Sequence, residues 1–66
     1  MVNINNPVLT AKQAAQYIGI SYWTLLDLVR QVKIRHFRGG NRILFRLSTL
    51  DDWMSAEEEA SIRKTS

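Results

Sequence analysis

The sequence contains no cysteine, a single proline and only three glycines among its 66 residues. Without cysteine the chain cannot form a disulfide or a thiolate metal site, which is typical of proteins from a reducing compartment. No apolar run is long enough to span a membrane, and the N-terminus lacks the basic region and apolar core of a signal peptide. We therefore expect a cytoplasmic protein with no membrane contact.

The sequence also lacks the patterns of a catalytic or cofactor site. It has no nucleophile paired with a base and no glycine-rich phosphate loop, and a chain of this length does not readily enclose a substrate pocket. The single histidine, His36, has no companion ligands for a metal. Asp51 and Asp52 are adjacent carboxylates, but Asp51 is in a helix-capping position and Asp52 is expected to face solvent. We predict a protein that is not an enzyme and uses no cofactor, metal or small-molecule substrate.

Positive charge is concentrated in one part of the chain. Between Thr10 and Arg46 there are seven basic residues and one acidic residue, Asp27, whereas the segment from Leu47 onward has five acidic residues and two basic ones. Five of the seven basic residues are arginines, whose guanidinium groups match phosphate geometry. This distribution favours a nucleic-acid partner for the basic part. The alternative is an ordinary solvated surface charge.

Two helical patterns meet at Gly19. Thr10 begins the capping box T-A-K-Q, which predicts the start of a first helix, and Gly19 can take the left-handed conformation that ends it. Ser21 is a natural N-cap for a second helix. The spacing of Ala15, Gly19 and Leu25 is typical of a helix-turn-helix, which usually places its second helix in a DNA major groove.

The second helix has an inward and an outward face. Four apolar side chains at helical spacing are expected to face the core: Leu25, Leu28, Val29 and Val32. The outward face then carries Tyr22, Trp23, Leu26, Asp27 and Arg30, which offer few hydrogen-bond donors to base edges. Asp27 could accept from a cytosine amino group, but pairing with Arg30 or Lys33 as a surface acid is the favoured interpretation.

Residues 34–47 predict a β-hairpin, because two runs of alternating apolar and basic residues flank the turn Gly39-Gly40-Asn41. An isolated hairpin is unstable in water, so this one must pack on the helices. Phe37, Ile43 and Phe45 are its expected buried side chains. Four arginines then surround a projecting tip: Arg35, Arg38, Arg42 and Arg46.

Ser48 and Asp51 form a second capping box, which predicts a third helix that docks through Leu50, Trp53 and Met54. The apolar stripe stops after Met54. We predict a flexible N-terminal arm over residues 1–7, a DNA-binding domain over residues 8–56, and an acidic, frayed C-terminal tail over residues 57–66. The predicted fold class is α+β, a winged helix-turn-helix with three helices and a two-stranded β-hairpin wing between the second and third helices.

The order of these motifs resembles the excisionase type of small DNA-binding proteins, also called recombination directionality factors, which are related to MerR-like winged helices. The resemblance covers about residues 8–54 and is carried by LTAKQAAQYIGIS at 9–21, TLLDLVR at 24–30, IRHFRGGNRILFR at 34–46 and LDDW at 50–53. It implies a bacterial or phage-encoded, nucleoid-associated protein that binds repeated sites near an attachment site, bends DNA and directs an integrase toward excision of a mobile element. The implied partners are double-stranded DNA, the integrase or recombinase, and further copies of the chain on adjacent sites.

The resemblance also implies that residues 21–30 enter the major groove and residues 38–42 the adjacent minor groove. Tyr22 and Thr24 could donate to a phosphate or base edge, although Tyr22 could equally cover the core. Trp23 could contact a sugar or a thymine methyl, or fold back onto the core. The candidate DNA-binding residues are Ser21, Tyr22, Trp23, Thr24, Asp27, Arg30, Arg35, Arg38, Gly40, Asn41, Arg42 and Arg46.

Two other functions stay open on the sequence alone. A small transcriptional regulator would share the DNA-binding domain, although a long dimerisation helix of the MerR type is not expected here. A protein-interaction module would use Tyr22, Trp23 and Leu26 as its contact patch, which would account for the scarcity of basic residues on the outward face. In the excisionase hypothesis, the run from Glu57 to Glu59 could meet a basic integrase surface or a neighbouring protomer.

Overall fold

Three helices and three strands make up the computed structural model, which describes residues 7–65. Their order is β1 (Val8–Thr10), α1 (Ala11–Ile18), α2 (Tyr22–Arg30), β2 (Phe37–Gly39), β3 (Arg42–Arg46) and α3 (Leu47–Thr65). The fold is α+β, and its order of helix, turn, helix and hairpin confirms the predicted winged helix-turn-helix class. The predicted arm lies outside the described residues except for Pro7, whose carbonyl accepts a hydrogen bond from the Leu47 N–H at 3.0 Å.

The central strand of the sheet is β3, which pairs antiparallel with β1 on one edge and β2 on the other. The β2–β3 pair is the predicted hairpin, with Gly39 opposite Arg42 and a left-handed φ of 66° at Gly40 in the turn. Strand β1 was not predicted. It places Leu9 opposite Phe45, so the chain just before the first helix cap completes the sheet.

The core combines small side chains from α1 with one large side chain from each of three other elements. The largest fully buried side chains are Leu25, Phe45 and Leu50. Ala14 and Ala15 of α1 are also buried, and their small size lets the neighbouring elements approach α1 closely. These observations confirm the predicted burial of Leu25 and Phe45 and the docking of α3 through Leu50.

Val32 does not belong to the core, contrary to prediction. The helix ends at Arg30, so Val32 follows it and its side chain is 80% exposed. Ile34 is buried in its place, at 3% exposure. Helical spacing predicts the direction of a side chain only within a helix, and Val32 follows the last helical residue.

Phe37 is the second side chain wrongly predicted to be buried. It lies opposite Leu44 on β3, and Leu44 and the buried Phe45 are adjacent residues whose side chains point to opposite faces of the sheet. Phe37 therefore lies on the face away from the helices and is 41% exposed. Strand β2 begins only at Phe37, so the predicted alternation from Ile34 onward has the wrong register.

The predicted caps of α1 and α2 are confirmed. Thr10 Oγ1 accepts the Gln13 N–H at 3.3 Å, while Gln13 Oε1 accepts the Thr10 N–H at 3.0 Å. Ser21 Oγ accepts the Thr24 N–H at 3.0 Å. Gly19 has a φ of 94°, the left-handed conformation expected at the end of α1. Side-chain oxygens thus satisfy backbone donors at the first turn of both helices.

Helix α3 starts directly after β3 and earlier than predicted. It begins at Leu47, so Ser48 lies in its first turn and not before it. Its backbone is helical as far as Thr65. Trp53 and Met54 are half-buried, as expected for side chains that dock on the core, and the side chains from Ser55 to Glu59 are exposed.

Helices α1 and α2 both end in a left-handed residue, Gly19 after α1 and Val32 after α2, where φ is 55°. After α2, the Lys33 N–H donates to the Leu28 carbonyl at 2.9 Å and the Val32 N–H to the Val29 carbonyl at 3.0 Å. This is the Schellman arrangement, in which glycine is the usual left-handed residue. A β-branched residue there is strained.

Val32→Gly is expected to raise the free energy of unfolding by about 0.5–1 kcal/mol, because the relief of left-handed strain exceeds the entropic cost of glycine. Gly19→Val is the matched reverse change and is expected to cost about 1–2 kcal/mol through backbone strain. A Cβ at Gly19 would meet no atom within 4 Å, so steric overlap does not contribute. Urea denaturation measures the free energy of unfolding of both variants. A Val32→Gly protein that is less stable than wild type would show that Val32 is not strained.

Tyr17 joins α1 to α3. Its hydroxyl donates to Asp51 Oδ1 at 2.6 Å. This hydrogen bond, together with slight desolvation and the carboxylate charge, raises the pKa of Tyr17 above its ordinary value of 10.0. Because the raised pKa belongs to the folded state, the stabilisation is present below pH 10.0 and is lost as the pH rises through the raised pKa.

Asp51→Ala is expected to lower the pKa of Tyr17 toward 10.0, because it removes both the acceptor and the negative charge. A pH titration of the Tyr17 ring resonances by NMR measures this shift. Asp52→Ala is the control, since the neighbouring carboxylate makes no hydrogen bond to Tyr17. An unchanged Tyr17 titration in Asp51→Ala would show that the Tyr17–Asp51 hydrogen bond is not formed in solution.

Candidate nucleic-acid interface

Two open clefts flank the exposed face of α2. The first, of about 370 Å³, lies between α2, the start of α1 and the hairpin tip. We call it the Tyr22 cleft, and its principal lining residues are Thr10, Lys12, Tyr22, Leu26, Asn41 and Arg42. The second, of about 510 Å³, lies between α2, the segment that follows it and the hairpin. We call it the Trp23 cleft, and its principal lining residues are Trp23, Leu26, Arg30, Val32, Arg38 and Ile43.

Each cleft contains one cation from a helix and one from the hairpin. Lys12 and Arg42 line the Tyr22 cleft, and Arg30 and Arg38 line the Trp23 cleft. Arg38 faces α2 because it lies directly opposite Ile43, whose side chain packs against the core. The structure therefore brings four cations from α1, α2, β2 and β3 together around α2 and the hairpin tip.

The two aromatic residues at the start of α2 have different environments. Tyr22 is half-buried and packs against the core, which supports the interpretation that it covers the core. Lys12 Nζ lies 6.0 Å from the Tyr22 ring centroid. Trp23 is 74% exposed, and its ring meets that of Tyr22 edge to face at 5.3 Å. Trp23 does not fold back onto the core, so its indole is available for contact.

The polar side chains of α2 mostly bind one another. Ser21 Oγ accepts the Thr24 N–H and donates to Thr24 Oγ1 at 2.8 Å. Asp27 Oδ1 accepts from Arg30 at 3.0 Å, and Asp27 Oδ2 accepts from Gln31 Nε2 at 3.2 Å. These contacts confirm the surface pairing of Asp27 with Arg30. Exposed ion pairs contribute only about 0–1 kcal/mol, so Arg30 can exchange Asp27 for a phosphate at little cost.

Arg35 and Arg46, two of the predicted site residues, lie apart from both clefts. They line a depression beside the start of α3, together with Thr49. Arg35 also borders a second depression, next to Trp53. The expectation that all four hairpin arginines surround the tip is therefore wrong for this pair, because Arg35 and Arg46 lie at the base of the hairpin, where β3 continues into α3.

The remaining predicted residues lie in the first turn of α2 or at the hairpin tip. Thr24 is exposed in α2, and Gly40 and Asn41 form the exposed turn, with Asn41 lining the Tyr22 cleft. Lys12 was not among the predicted site residues. The available signal was its position two residues after the Thr10 cap, on the exposed side of a helix whose alanines face the core.

Other kinds of site find no support in the described part of the chain. Between residues 7 and 65, no group of three or more histidine, cysteine or acidic side chains is arranged to hold a metal ion. No helix in the same range combines the length and apolar character needed to cross a membrane.

The sequence matches the model of the helix-turn-helix domain family over residues 8–58, a span that includes every strand, α1, α2 and the docked part of α3. This family includes excisionase-type proteins. No curated protein and no solved structure matches the chain. A helix-turn-helix domain implies sequence-specific DNA binding. The chain belongs to the helix-turn-helix domain family.

Proposed function

We propose that this protein is an excisionase: it binds repeated DNA sites near an attachment site, bends the DNA and directs an integrase toward excision of a mobile element. The observation that carries the proposal is the pair of clefts on either side of α2, each with one helix cation and one hairpin cation. Membership of a family that includes excisionase-type proteins supports it further.

In this proposal α2 enters the major groove and the hairpin tip enters the adjacent minor groove. The cations of the two clefts then reach phosphates on either side of α2. The start of α1 at Ala11 also lines the Tyr22 cleft, and a helix N-terminus attracts anions through its free N–H groups and its dipole. The glycine turn at Gly39-Gly40 lets the backbone approach the DNA closely, while Arg38 and Arg42 flank it.

The small size of the contact surface supports the use of repeated sites. Helix α2 has nine residues and is about 14 Å long, which corresponds to about four base pairs. A single domain with so few contacts binds weakly on its own. Occupation of adjacent sites by several copies raises the effective affinity, and bending of the DNA between them brings further surface into contact.

The C-terminal half of α3 supports a protein partner over a transcriptional regulator that dimerises through this helix. Helix α3 packs against α1 and β3 through its first turns, and Glu57, Glu58 and Glu59 are exposed beyond them. Between residues 55 and 62 the sequence contains a single large apolar residue, Ile62, whereas a dimer seam needs apolar residues repeated along the helix. Its acidic surface is complementary to a basic surface, which is the charge expected of a DNA-binding integrase.

Arg42→Ala is expected to weaken binding to duplex DNA and to reduce the slope of log affinity against log salt by about one, because one phosphate contact is lost. Arg46→Ala removes the same charge from the same strand, but beside α3, and is expected to change the slope less. Fluorescence anisotropy at several salt concentrations measures both. If the two variants lost affinity and salt slope equally, DNA would contact the base of the hairpin as well as the clefts.

Fragments that the protein selects from the sheared DNA of its source are expected to carry closely spaced repeats beside the attachment site of a recombinase gene. Deletion of the gene for this protein is expected to abolish excision of that element and to leave transcript levels unchanged, with restoration by the wild-type gene but not by Arg42→Ala. Sequencing of the selected fragments and of the excised junction measures both outcomes. Enrichment of promoters, with altered transcripts and normal excision, would instead assign the protein to transcriptional regulation.

A further inference from the structure

We propose that α2 recognises thymine methyl groups, through the apolar side chains of the Trp23 cleft, and that hydrogen bonds to base edges contribute little to its specificity. This inference rests on the proposed DNA binding and deepens it, because it names the chemical group that the recognition helix reads. Three features of the structure support it: the hydrogen bonds of the polar groups on α2, the exposed apolar surface beside them, and the charged side chains that line the same cleft.

The polar groups of α2 already form hydrogen bonds within the protein. Ser21 and Thr24 are bound to each other twice, through the backbone N–H of Thr24 and through both hydroxyls. Both carboxylate oxygens of Asp27 already accept hydrogen bonds, one from Arg30 and one from Gln31. To pair with a base edge, most of these groups would first have to break a bond within the protein. Hydrogen bonds from these groups to a base edge would therefore replace bonds within the protein and add little to binding.

Large apolar side chains are exposed beside these polar groups. Trp23 is 74% exposed and Val32 is 80% exposed, and both line the same cleft with the half-buried Leu26. Large apolar side chains on the surface of a small protein are commonly contact sites when they are adjacent. Val32 is notable because it has a φ of 55° at a position where glycine would relieve the strain. A valine side chain is thus presented to solvent at a conformational cost and without burial in the core.

The charges beside this apolar surface indicate its occupant. Arg30 and Arg38 line the cleft that contains Trp23 and Val32, so the same cleft carries apolar side chains and two guanidinium groups. This combination fits a surface that offers small apolar groups between phosphates. In the DNA major groove, the C5-methyl of thymine is the apolar group of the base edges, and it lies between the two phosphate backbones. A purely apolar protein partner would offer no anion to either arginine, and Arg38 makes no ion pair with another described residue.

The test uses duplexes selected by the wild-type protein from a random-sequence pool. Each thymine of the selected site is replaced in turn by deoxyuridine, which removes only the methyl group. At contacted positions the wild-type protein is expected to lose about fourfold in affinity for each methyl, the value for one buried methyl-sized group. Flanking thymines are expected to show no loss.

The protein side of the test is Trp23→Ala, which is expected to bind thymine and deoxyuridine duplexes equally at the positions where wild type discriminates. Val32→Gly is a second variant that is expected to fold at least as stably as wild type, and its discrimination should be reduced. Ile62→Ala is the control, because it also shortens an exposed apolar side chain, on α3 and outside both clefts, and should retain the full discrimination. A change in DNA shape caused by deoxyuridine would lower the affinity of wild type and of every variant alike. Loss of the thymine preference in Trp23→Ala but not in Ile62→Ala would therefore show direct contact with the methyl group.

Three results would overturn the inference. If wild type binds deoxyuridine and thymine duplexes equally, the methyl groups are not read. If Trp23→Ala loses affinity equally for both duplexes, or keeps the full discrimination, the Trp23 cleft does not read them, and a protein partner becomes the better occupant for Trp23. If wild type selects no duplex at all, the proposed DNA binding itself fails and the inference fails with it, an outcome that the selection step separates from the other two.

Discussion

The structure depends on the burial of Phe45, because this side chain holds the hairpin on the helices. Phe45 lies on the central strand β3 and is fully buried together with Leu25 of α2 and Leu50 of α3. A two-stranded hairpin is not stable by itself in water. Its attachment through Phe45, and the added strand β1 opposite Phe45, give the hairpin tip a defined position beside α2. A small domain can therefore hold a helix and a loop together as one rigid surface.

The same hairpin divides the positive charge of the chain between two regions. Side chains alternate between the two faces of a strand, so Arg38, opposite the inward-facing Ile43, faces α2. Arg42 and Arg46 share the other face of β3 and differ in their position along the strand: Arg42 lies at the tip and lines the Tyr22 cleft, and Arg46 lies at the base of the hairpin beside α3. Net charge alone indicated a polyanion as partner, but only the folded hairpin distinguishes the arginines around α2 from those beside α3.

Local features of the fold could be predicted from the sequence, and long-range ones could not. The caps at Thr10 and Ser21 and the reversal at Gly19 depend on hydrogen bonds and dihedral angles within a few residues, which sequence spacing reveals. Strand β1 is three residues long and forms only because β3 offers an edge, so no local pattern predicts it. Likewise, the exposure of Val32 depends on where α2 ends. Lys12 joins the candidate site only because the hairpin folds back beside α1.

In the proposed function, DNA contacts α2 together with the hairpin tip and the start of α1, on the side that carries the two clefts. Backbone amide chemical shifts during titration with a duplex that the protein selects test this claim residue by residue. We expect the largest changes at residues 10–12, 22–32 and 38–43 and small changes at residues 48–60. Changes concentrated in α3 and at the base of the hairpin, with residues 22–32 unaffected, would contradict it.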